Sequence, residues 1–68
     1  MILSDRAEAR RRLIDMEESR RCEVRILEVQ IAETSPADKR LRGILRRVQE
    51  AAAQEREFIL QAMAELMR

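Results

Sequence analysis

Leu41, Leu45, Val48, Ala52, Glu55, Ile59, Ala62 and Leu66 step along the second half of the chain by 4, 3, 4, 3, 4, 3, 4. Only Glu55 in this row is charged. A heptad row without interruption keeps one face of an α-helix turned toward a partner helix along its whole length. Ile44, Ala51 and Phe58 widen the row on one flank and Met63 on the other. Gly43 falls on the opposite, solvent-facing side, where a glycine costs up to ~1 kcal/mol against alanine and interrupts nothing.

The first half carries a matching line: Ala9, Leu13, Met16, Arg20, Val24, Leu27 and Ile31 stay within roughly 80° of helical arc. A helix over this stretch is expected to start at Ser4, with Asp5 and Glu8 in its first turn. The rival reading is a strand over Cys22–Ile31, where β-branched residues partly alternate. That alternation slips at Ile26–Leu27, and no second strand exists for it to pair with.

The one break in the chain is Glu33–Thr34–Ser35–Pro36–Ala37–Asp38. Ser35 can cap a following helix, Pro36 suits a first helical position that needs no N–H, and Asp38 places a carboxylate near the positive helix end. These signals set helix 1 at about 4–33, the turn at 33–36 and helix 2 at about 36–67. With about three residues between them, the helices must fold back side by side, so residues whose numbers total about 72 share a layer. Ile31 then meets Leu41, Leu27 meets Leu45, Val24 meets Val48 and Leu13 meets Ile59. The expected fold is all-α, a single antiparallel two-helix hairpin about 45 Å long.

A hairpin of 68 residues is short of core. Below ~70–80 residues one core rarely supplies more than ~3–5 kcal/mol, so small domains need a staple. Cys22 is the only cysteine and there is no histidine, which leaves neither an internal disulfide nor the usual structural metal set. Association supplies what is missing. A second apolar stripe agrees: Cys22, Ile26 and Val29 lie on the far side of helix 1 from Val24, Leu27 and Ile31. Two helices can bury one face each, so the expected interface is Cys22, Ile26, Val29, Ile44, Ala51, Phe58 and Met63. Its occupant is either a second copy, giving a homodimeric four-helix bundle, or another helical protein.

Arg20 and Glu55 are each the only charged residue on an apolar line, and layer arithmetic brings them within a turn of each other. An ion pair between them, across the hairpin or a dimer seam, would fix register rather than add much stability. The alternative has Arg20 extending outward along its alkyl stem and Glu55 at a wet edge.

Other functions find less support. Residues 20–47 hold eight basic and four acidic residues, leaving six basic and nine acidic elsewhere, for a formal charge of +1. A basic hairpin dimer binding RNA or DNA through Arg21, Arg25, Lys39, Arg42, Arg46 and Arg47 is therefore the alternative function. Against it, acidic residues interleave and this basic stretch holds no aromatic for base stacking. Catalysis lacks a histidine, a phosphate loop and a base beside Cys22, so no enzyme, cofactor, metal or small-molecule substrate is expected. No apolar run approaches the ~20 residues that span a bilayer. Ser4, Asp5 and Arg6 follow Met1–Ile2–Leu3 at once, so a secretory leader is not expected and a cytoplasmic location is.

The helical hairpin, the Ser35–Pro36 start of the second helix, the Ala51–Ala52–Ala53 stretch and the hydrophobic Phe58–Ile59–Leu60 turn resemble the small E-component co-chaperones of type III secretion needle subunits. That resemblance implies a hairpin that docks on a helical-repeat chaperone and helps keep a needle subunit from polymerising. The arginine loading of helix 1, at Arg10–Arg11–Arg12 and Arg20–Arg21, departs from the group.

Overall fold

In the computed structural model, which describes residues 2–68 and side chains from Asp5 onward, two helices pack antiparallel as a hairpin. Helix α1 spans Ile2–Glu33 and α2 spans Lys39–Leu66. A capping role for Ser4 concerns a side chain outside the described ones. Cys22–Ile31 is helical throughout. The rod measures 55 × 14 × 13 Å, longer than expected, and α1 has 32 residues and begins before Ser4.

The connection departs from the expected start of helix 2 at residue 36. The Asp38 N–H donates to the Ser35 carbonyl at 3.0 Å, closing a turn that holds Pro36 and Ala37 at its centre. Proline's fixed φ suits the second position of such a turn as well as it suits a first helical turn. The Ser35 hydroxyl accepts only from Ala37 N, at 3.3 Å. Asp38 caps α2 instead: its Oδ1 accepts from Leu41 N at 3.2 Å. At the end of α1 the Thr34 N–H and hydroxyl both reach back to the Gln30 carbonyl, at 3.0 and 2.7 Å.

Register follows the layer arithmetic closely. Gln49 Nε2 donates to the Val24 carbonyl at 3.3 Å, Arg56 meets Glu17 at 3.0 Å, and Arg20 meets Glu55 at 3.0 Å. The numbers in these pairs total 73, 73 and 75.

Rotation of α2 about its own axis differs from expectation. The residues turned to α1 are Leu45, Gln49, Ala52, Arg56, Ile59, Met63 and Leu66, all buried or half-buried. From α1 they meet a row that includes Leu13, Glu17, Arg20, Val24, Leu27 and Ile31, likewise buried or half-buried. Leu41 and Val48, expected in closed layers, keep 43% and 48% of their surface exposed, and Met16 keeps 45%. The physical reason is that Gln49 and Arg56 carry hydrogen bonds to α1, which pulls their line inward and leaves the Leu41–Val48 line at the edge. What remains as core is Leu27, Ala52 and Ile59, and no described side chain is completely enclosed.

Candidate functional site

Two ionic links sit near the middle of the rod, on its two edges. On one edge Arg20 Nε lies 3.0 Å from Glu55 Oε2, and Arg20 Nη1 donates to Glu23 Oε2 at 3.0 Å. The Arg20–Glu55 contact is close in distance but not aligned as a hydrogen bond, so a solvent-shielded Nε has no acceptor. With Glu55 more than half exposed, such a pair contributes on the order of 0–1 kcal/mol. On the other edge Arg56 Nε donates to Glu17 Oε1, and the Glu17 side chain is well covered. Spacing along α1 pairs Glu17 with Arg21; the structure turns it inward to Arg56. The layer arithmetic, extended from Val24 and Gln49 by one heptad, is the signal that would have found it.

The residues expected as an interface fall on separate surfaces. Cys22, Ile26 and Val29 lie on the side of α1 turned away from α2, with Ile26 58% and Val29 51% exposed. Cys22 and Ile26 line a shallow groove bordered by Glu18 and Glu23. Ile44, Ala51 and Phe58 are exposed on the flank of α2, and Phe58 keeps 70% of its surface in solvent. Met63 is the exception to the expected set: it is half-buried in the row facing α1, one residue beyond Ala62 and so about 100° around the helix from it. It belongs to the hairpin, not to an outer surface.

The basic residues do not form a single face. Arg46 and Arg47 are adjacent and so diverge by about 100°, and Arg42 and Arg47 diverge by about 140°. Arg42 is half-buried with a shielded Nε that has no hydrogen-bond acceptor, whereas Arg21, Arg25, Lys39, Arg46 and Arg47 are exposed. Among the described residues no three His, Cys, Asp or Glu side chains are grouped to hold a metal ion, and no helix is long and apolar enough to cross a membrane.

The chemistry on offer is therefore apolar contact edged by charge. No protein-family model, curated protein or solved structure matches the chain.

Proposed function

We propose that this chain is a non-catalytic interaction module, a helical hairpin that works by covering its outer apolar side chains with another protein surface. The observation that carries the reading is the imbalance between core and surface. Among the described residues Leu27, Ala52 and Ile59 alone are buried, while Ile14, Ile26, Val29, Leu41, Ile44, Val48 and Phe58 keep between 42% and 70% of their area exposed. Fully burying one such side chain is worth about 1.5–3 kcal/mol, so covering several would multiply the stability the hairpin has alone. Docking on a helical-repeat chaperone, as the co-chaperone resemblance implies, uses the same mode of action. A reducing compartment such as the cytoplasm suits the exposed Cys22 thiol.

Concentration-dependent unfolding tests the reading. A chain that folds by association has a thermal midpoint that rises with concentration or with added partner. A cooperative transition whose midpoint does not move, together with a monomer mass at every concentration, would remove the reading.

A further inference from the structure

Resting on that reading, we infer that the partner is a second copy of this chain, paired antiparallel along the exposed flank of α2 to complete a four-helix bundle. Leu41, Ile44, Val48, Ala51, Glu55 and Phe58 step by 3, 4, 3, 4, 3 and are all exposed. They form a second heptad row. From Ile44 onward each precedes by one residue a member of the row facing α1, at positions 45, 49, 52, 56 and 59. One residue is about 100° of helical rotation, so the two rows stand about a quarter turn apart. Each helix of a four-helix bundle touches two neighbours at about that angle. One of the two places around α2 is filled by α1.

Two observations specify a second copy as the occupant of the other. Ala51, a small residue, lies midway in number between Ile44 and Phe58, and also midway between Arg47 and Glu55. Laying α2 against its own copy about a two-fold axis at Ala51 sets Ile44 against the partner's Phe58 and Arg47 toward the partner's Glu55, each twice. Charge along α2 is polarised as well. Residues 39–53 hold five basic and one acidic side chain, and residues 54–66 hold three acidic and one basic. Antiparallel pairing brings the basic half of one copy onto the acidic half of the other and opposes the two helix dipoles.

Molar mass of the purified chain by light scattering, repeated on variants, tests the proposal. The unsubstituted chain is expected as a dimer. Ile44→Glu and Phe58→Glu, both at exposed positions, are expected to weaken it at least about 100-fold. Val29→Glu, on the outer side of α1, is expected to leave it intact. Ala51→Cys in a Cys22→Ser background is expected to form an intermolecular disulfide under mild oxidation, because the two-fold places that position against itself. A dimer that survives Glu at 44 and 58 but dissociates with Glu at 29 overturns this row and keeps the association reading. A dimer whose Ala51→Cys variant does not cross-link overturns the antiparallel crossing. An unfolded monomer overturns the second copy in favour of a different protein, and a stably folded monomer overturns both the pairing and the association reading.

Discussion

Glu17 and Arg56 join the two helices by a hydrogen bond of 3.0 Å, and the Glu17 side chain is only 13% exposed. Among the described residues it is the best-covered charged contact across the hairpin, with Arg56 itself 39% exposed. Removing Arg56 leaves the well-covered Glu17 carboxylate without its donor across the hairpin. Arg56→Ala is therefore expected to destabilise the fold by about 1–3 kcal/mol, more than Glu55→Ala, whose partner contact lacks hydrogen-bond alignment. Denaturant unfolding of both variants under identical conditions checks the order. If Glu55→Ala costs as much, cover is not what separates the two pairs.

Arg20 makes a different kind of contribution. It spans Glu23 on its own helix and Glu55 on the other, with its Nε shielded and lacking an acceptor. Desolvation and attraction then nearly cancel, and the value of the arrangement is in register. Arg20→Leu is expected to change stability by less than about 1 kcal/mol while allowing more than one oligomeric species. Native mass measurement checks this. A single species of unchanged mass with unchanged stability would show that Arg20 sets no register.

The turn separates two capping candidates. Asp38 Oδ1 accepts from Leu41 N within the first turn of α2, whereas the Ser35 hydroxyl touches only the turn backbone. Asp38→Ala is expected to cost about 1 kcal/mol and Ser35→Ala distinctly less. Thermal unfolding ranks them, and equal losses would mean the Ser35 turn matters as much as the cap.

This difference shows where the sequence was legible. Two helices, their antiparallel return and their register could be read because the apolar period is long and the break is single. The ion pair of Arg20 and Glu55 could be read because each interrupts an apolar line. Helix α2 starts at Lys39 and not at residue 36 because Ser-Pro-Ala-Asp satisfies turn chemistry and cap chemistry equally, and only backbone closure at Asp38 decides. Rotation of α2 is not legible for a related reason. Counting apolar residues placed Val48 opposite Val24, but Gln49 reaches the Val24 carbonyl and Arg56 reaches Glu17, so polar residues occupy the contact row and apolar ones are displaced to the flank. The same rotation carries Met63 inward from the flank on which its spacing sets it.

Gly43 offers a test of which faces are covered in solution. It lies inside α2 without positive φ, and a Cβ built there meets nothing within 4 Å. In a helix interior alanine exceeds glycine by about 1 kcal/mol, through the backbone entropy glycine loses on folding. Gly43→Ala is therefore expected to raise stability by roughly 0.5–1 kcal/mol and leave the oligomeric mass unchanged. Calorimetry and light scattering on the same sample check both halves. Gly43 precedes Ile44 by one residue, so it lies about 100° beyond the Ile44–Phe58 row and clear of a copy seated there. A lower midpoint, or a weaker dimer, would mean that a partner backbone approaches this outer side of α2 closely. The covered face would then be the one opposite α1, not the flank that Phe58 occupies.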